Sequence, residues 1–143
     1  DCVIDAIDVA RHKSAIIAWC QRAKIPIVTV GGAGGLKDPT QIQTADLSRT
    51  YHDPLLAKVR KQLRQSYHFS TNPKRRFGIE AVFSSEQQIV PDGDGGFTQG
   101  KPAQHTSARL DCASGFGAAA AVTGTFGFVA ANRVLHKLQQ AAL

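Results

Sequence analysis

Residues 2–30, CVIDAIDVARHKSAIIAWCQRAKIPIVTV, decide the fold. CVIDAI (2–7) is β-prone and mostly apolar, and in the DVARHKSAIIAWCQRAK that follows, Ile16, Cys20 and Ala23 recur at helical spacing. PIVTV (26–30) is a second short strand. Strand, helix and strand in so short a span form a β-α-β unit, whose crossover requires the two strands to lie parallel. The natural host is an open α/β sheet. Ligands of such sheets gather at the carboxyl ends of the strands, where Asp8 and the glycine-rich loop Gly31 to Gly35 both fall.

Working outward, TQIQTADL (40–47) reads as a strand with polar residues on one side. DPLLAKVRKQLRQSYH (53–68) reads as an amphipathic helix carrying Leu55, Leu56, Val59 and Leu63. FSTNPKRR (69–76) is turn-rich, FGIEAVFS (77–84) is another strand, and the Gly, Pro and polar stretch 91–109 is predicted to be a mobile loop. From Cys112 to Asn132 there is no charge, and RVLHKLQQAAL follows. That run is long enough to span a membrane, but Gly115, Gly117, Gly124, Gly127 and many alanines make it weakly hydrophobic. A helix buried against a sheet or a partner is expected, with membrane association as the lesser alternative.

A chain of 143 residues, 43% hydrophobic and 20% charged, suits one domain with its own core and excludes a fibrous or wholly disordered protein. Its opening residues already read as strand, with no methionine and no signal pattern ahead of them, so a fragment of a longer chain is expected. The cysteines, Cys2, Cys20 and Cys112, are odd in number and widely spaced. That argues against a disulfide framework and fits a reducing compartment such as the cytoplasm. No CxxC pair offers a zinc site. The net charge is +6, and between Pro54 and Gly78 seven cations (Lys58, Arg60, Lys61, Arg64, Lys74, Arg75 and Arg76) occur without one acid. With Tyr67, His68 and Phe69 close by, this is either a solvated face or an electrostatic footprint for nucleic acid.

Asp5 and Asp8 stand three apart at the end of a strand, so they point to opposite faces and do not form a carboxylate pair. Asp8 has two readings. It caps the following helix, or it holds magnesium beside the phosphates of ATP. GGAGG (31–35) is not GxGxxG and is followed by LKDP rather than a helix, so a tight connection suits it better than a phosphate cradle. Cys112, in LDCASGFG, is either a reactive thiol at a helix start or a small buried apolar residue. The histidines show no metal-ligand spacing.

Four ordered stretches, VIDAIDVARHKSAIIAWC (3–20), KIPIVTVGGAGGLKDPTQIQTADLSRTYHDPLLAKVR (24–60), FGIEAVFSSE (77–86) and RLDCASGFGAAAAVTGTFGFVA (109–130), together resemble the tRNA threonylcarbamoyladenosine dehydratase family, a ThiF-type branch of the ubiquitin-activating-enzyme-like enzymes. The resemblance runs along nearly the whole chain. It implies a Rossmann-like α/β fold, a mixed sheet with flanking helices, with residues 1–143 forming the carboxyl-terminal part of an ATP-dependent activating domain. It also implies ATP-dependent dehydration and cyclisation of threonylcarbamoyladenosine in tRNA, through activation of its carboxylate. Asp8 would be the catalytic and magnesium-holding residue beside ATP, and Lys13 would contact the cofactor where many relatives carry Arg. Lys58, Arg60, Lys61, Arg64, Lys74, Arg75 and Arg76 would hold tRNA. A monovalent cation near the glycine loop, a homodimer and a sulfur-transfer protein partner are further implications. Two other readings stand beside this one: an adenylyltransferase acting on the carboxyl terminus of a ubiquitin-like sulfur carrier, and a noncatalytic RNA-binding module.

Overall fold

The structure, a computed structural model, describes residues 1–91, 96–99 and 117–141. Four strands form the main sheet: β1 (Val3–Asp5), β2 (Ile27–Val30), β3 (Ile42–Asp46) and β4 (Glu80–Ser84), in the order β1-β2-β4-β3. The first β-α-β unit is as the sequence predicts. Helix α1 (Ala10–Ala23) joins β1 to β2, and the two strands are parallel with Val3 opposite Ile27. β4 runs parallel to β2, while β3 lies antiparallel on the outer edge of β4, so the sheet is mixed. The first strand is shorter than the apolar run suggests and ends at Asp5.

Helix α2 (Pro54–Ser66) forms because Asp53 caps it, Pro54 has the φ that a first helical residue needs, and Leu56, Val59 and Leu63 then line one buried face. Alternate residues of the strands point to opposite faces. Ile27, Ala81 and Phe83 join Ile17, Cys20, Leu56, Val59 and Leu63 in a core between the sheet and the α1–α2 layer. Val28 and Val82 face the other way, onto Val122, Phe126 and Ala130 of helix α3 (Ala120–Ala141). Strands covered on both faces account for the near-continuous apolar runs in β2 and β4.

Helix α3 settles the weakly hydrophobic tail as a helix that covers the sheet with one stripe. Glu80 of β4 pairs with Arg133 and, at 2.9 Å, with Lys137, extending that stripe by two turns. No helix among the described residues is long and apolar enough to cross a membrane. The outward side of α3 still carries Phe128 and Leu135, both exposed.

The stretch 91–109, read from the sequence as a loop, includes residues that are strand. β5 (Ile89–Pro91) pairs antiparallel with β6 (Phe97–Gln99). The rest of that stretch, 92–95 and 100–109 apart from Gly96, lies outside the described residues, as does Cys112.

Candidate functional site

A cleft of about 430 Å³ opens where the parallel strands β1 and β2 end, with α3 forming its far wall. Ile4, Asp8, Gly31, Leu55, Phe126 and Gly127 are among the residues that line it. It lies at the carboxyl ends of two adjacent parallel strands, where ligands of open α/β sheets gather. Its size lies within the range that small-molecule sites occupy.

Asp8 stands on the rim of this cleft and is exposed. The capping alternative for Asp8 is not realised: the residue before α1 is Val9, with no side-chain bond to the helix. No cluster of three His, Cys, Asp or Glu side chains suited to a metal occurs among the described residues. A lone rim carboxylate nonetheless fits magnesium bound with a nucleotide, because that ion usually takes only one or two protein carboxylates and fills its octahedron with phosphate oxygens and water.

Asp5 and Asp8 are separated as expected, and the structure shows what Asp5 does. Its carboxylate is buried and meets the Lys13 ammonium at 2.9 Å, with both side chains fully enclosed. Thr29 of β2 donates its hydroxyl to the same carboxylate at 2.7 Å, and the Ile7 amide donates to it at 3.1 Å. Lys13 also donates to the carbonyls of Ile7, at 2.9 Å, and Asp5, at 3.3 Å. All of its donors are therefore engaged behind the site. Burial pushes the Lys13 ammonium below the usual lysine range, and the Asp5 carboxylate opposes that shift. Lys13, which the resemblance puts in contact with the cofactor, is 0% exposed here, with its ammonium on the Asp5 carboxylate and the 5–7 backbone. What it does there is hold the chain segment that presents Asp8.

The glycine loop is fixed by a residue that sequence reasoning passed over. Asp53, buried before α2, accepts the Leu56 amide at 2.8 Å with one carboxylate oxygen and the Gly32 amide at 2.9 Å with the other. Gly31 must lack a side chain, since a Cβ there would come within 2.0 Å of the Asp53 carboxylate. Burial pushes the Asp53 carboxyl up, against the hydrogen bonds from the Leu56 and Gly32 amides. The Asp-Pro pair ahead of an apolar period did signal a helix cap. Nothing local signalled the bond to Gly32. Further along, Gly35 has φ of 69°, and Glu86 accepts the amides of Lys37 and Asp38 at 3.1 and 2.9 Å, so the exit of the loop is tied down.

The basic set is divided. Lys58, Lys61, Lys74, Arg75 and Arg76 are exposed. Arg60 donates to the Thr50 hydroxyl, and the Arg64 guanidinium lies 5.2 Å from the centre of the Phe77 ring, so both are half-buried and held by their own fold. Phe69 is buried and packs edge-on against Phe77, which removes it from the expected stacking residues. Helix α2 starts beside the cleft and runs 13 residues away from it, a rise of about 20 Å. Lys74, Arg75 and Arg76 thus lie toward the opposite end of the parallel strands, where the chain enters β4. Of the two described cysteines, Cys20 is buried, and its thiol is pushed up by that burial and by Asp5.

No family model matches the chain. It is 56% identical over 138 residues to the tRNA threonylcarbamoyladenosine dehydratase of Haemophilus influenzae, which covers 96% of this chain and 50% of the relative. Among solved structures, one described as TcdA (CsdL) superposes with a TM-score of 0.82 at 47% identity, over 97% of this chain and 50% of its own. The Escherichia coli tRNA N6-threonylcarbamoyladenosine dehydratase in complex with ATP superposes with a TM-score of 0.77 at 45% identity, over 97% of this chain and 48% of its own. The chain spans about half the length of the relatives it matches.

Proposed function

Since this chain belongs to the tRNA threonylcarbamoyladenosine dehydratase family, of which it matches the carboxyl-terminal portion, we propose that its cleft binds ATP for cyclisation of the threonylcarbamoyl side chain of a modified adenosine in tRNA. The single observation that carries this reading is the exposed Asp8 carboxylate on the lip of a cleft at the carboxyl ends of two parallel strands.

A free carboxylate resists ring closure because its oxygen is a poor leaving group. In the proposed reaction a carboxylate oxygen of the substrate attacks a phosphorus of ATP, and the rest of the nucleotide leaves with the bonding pair. A nucleophilic atom of the same side chain then attacks the carboxyl carbon, loses its proton, and expels the oxygen together with its phosphoryl group. The balance is loss of the elements of water, taken up by ATP. Because the nucleophile belongs to the substrate, no serine or cysteine of the enzyme is required.

The residues of this chain bind and position. Magnesium, held by Asp8, would offset phosphate charge during the transfer. Lys13, Asp5 and Thr29 fix the chain turn that carries Asp8. Ile4, Phe126 and Ala130 supply an apolar wall that keeps water from the activated carboxyl. The test is equilibrium binding of magnesium-ATP to the 143-residue chain and to its Asp8→Asn variant. Removing the charge at an exposed position should leave the melting temperature in place and weaken binding by about tenfold or more. Equal affinity in the two proteins rejects the assignment. Full-length enzyme offered threonylcarbamoyl-modified tRNA or a sulfur-carrier protein, each with ATP, separates the two enzymatic readings by which one is consumed. Salt-sensitive tRNA binding with no ATP turnover would select the noncatalytic reading.

For tRNA, the exposed Lys58 and Lys61 are the better test of the basic face than Arg60 or Arg64. Lys58→Glu with Lys61→Glu should weaken tRNA binding and flatten its dependence on salt, by a slope change of roughly one per lost phosphate contact, while leaving ATP binding intact. Unchanged salt dependence would remove this face from the interface. Equivalent changes at Arg60 and Arg64 would also break the contacts with Thr50 and Phe77, so an effect on tRNA there would not report charge alone.

A further inference from the structure

We propose that Asp53 is a positioning residue of the cleft: its two carboxylate oxygens clamp the Gly31–Gly32 backbone to the first turn of α2 and so set the distance between the glycine loop and Asp8. The inference rests on the nucleotide reading above for its consequence, and on geometry alone for the clamp.

A side chain that only capped α2 would need one acceptor. Asp53 uses two, on opposite sides of one carbon: Oδ1 takes the Leu56 amide at 2.8 Å and Oδ2 takes the Gly32 amide at 2.9 Å. The second bond joins residues 21 apart in sequence, so helix formation does not demand it. Gly31 is held from its other side, where its amide donates to the Val82 carbonyl of β4 at 2.8 Å. The loop is therefore pinned between the central strand and the helix cap. The Cβ collision at Gly31 shows how closely the Asp53 carboxylate is pressed against the loop, whereas a Cβ on Gly32 would meet only ordinary contacts, the nearest at 3.7 Å. Gly31, Gly32 and Leu55 all line the cleft together with Asp8. Any displacement of the clamp is carried directly into the wall of the site.

Serine separates the two duties. It caps helices about as well as aspartate, but a single oxygen on a shorter stem does not reach both amides. Asp53→Ser should keep the melting temperature within a few degrees, because serine retains the cap. The Gly32 amide should exchange with solvent at least about tenfold faster than in the unmodified chain, and magnesium-ATP should bind about tenfold more weakly. Should Asp53→Ser not fold, Asp53→Asn, which keeps the volume and one acceptor, carries the same comparison. Unchanged Gly32 exchange overturns the clamp. Faster exchange with unchanged ATP affinity overturns the positioning role. If the unmodified chain takes up no magnesium-ATP, the nucleotide reading and its consequence for Asp53 fall, while Gly32 exchange still decides the clamp.

Discussion

Replacing Lys13 with methionine is expected to cost the fold roughly 3–5 kcal/mol, the penalty of leaving a buried charge without its partner. Methionine matches much of the volume of the lysine stem, so the loss would be electrostatic. The Asp5 carboxylate keeps its bonds from Thr29 and Ile7, which places the expected value toward the lower end of that range. The double variant Asp5→Asn, Lys13→Met makes the result diagnostic, because it should recover part of the loss once the uncompensated charge is gone. Urea or thermal unfolding of the single and double variants measures it. A Lys13→Met protein as stable as the parent would mean that the ammonium contributes nothing behind the site, and the positioning role assigned to it would fail.

The second large effect is expected at Gly31. An alanine there places Cβ 2.0 Å from Asp53 Oδ2 and 3.3 Å from a methyl carbon of Leu56. The carboxylate has to move, and moving it loosens both the α2 cap, worth about 0.5–2 kcal/mol, and the bond to Gly32. Overpacking against Leu56 adds about 1–3 kcal/mol. A total of about 1.5–5 kcal/mol is expected, read as a lower melting temperature together with weaker magnesium-ATP binding. The same substitution at Gly32, where the nearest atom to a Cβ is 3.7 Å away, should cost far less. Equal melting temperatures for the Gly31→Ala protein and the parent would refute the close approach of Asp53.

These two residues mark where local reading stops. The period of α1 put Lys13 on a helix but not on a face, because a long aliphatic stem tolerates either environment and only a carboxylate from another element makes burial affordable. The GGAGG loop was legible as a connection requiring little side chain. The reason at Gly31 is a carboxylate 22 positions later, which no turn preference encodes. Arg60 and Arg64 looked like their neighbours in the basic run. Their contacts with Thr50 and Phe77 depend on how the chain returns past α2.

The β-α-β unit, the amphipathic α2, the acid-free basic run and the location of Asp8 past a strand end were all legible in the residues alone. All four follow from short-range pattern: residue period selects helix or strand, and burial of the apolar stripe selects the side that packs. Only the tertiary structure decided that β3 runs antiparallel at the edge of β4, that Asp5 and Thr29 enclose Lys13, that Asp53 ties Gly32 to α2, and that the basic residues divide between a free surface and internal contacts. The reason is physical. Period states how much apolar surface an element must bury, whereas the partner of a buried donor or charge is fixed by which distant segment the packed sheet brings within hydrogen-bond reach.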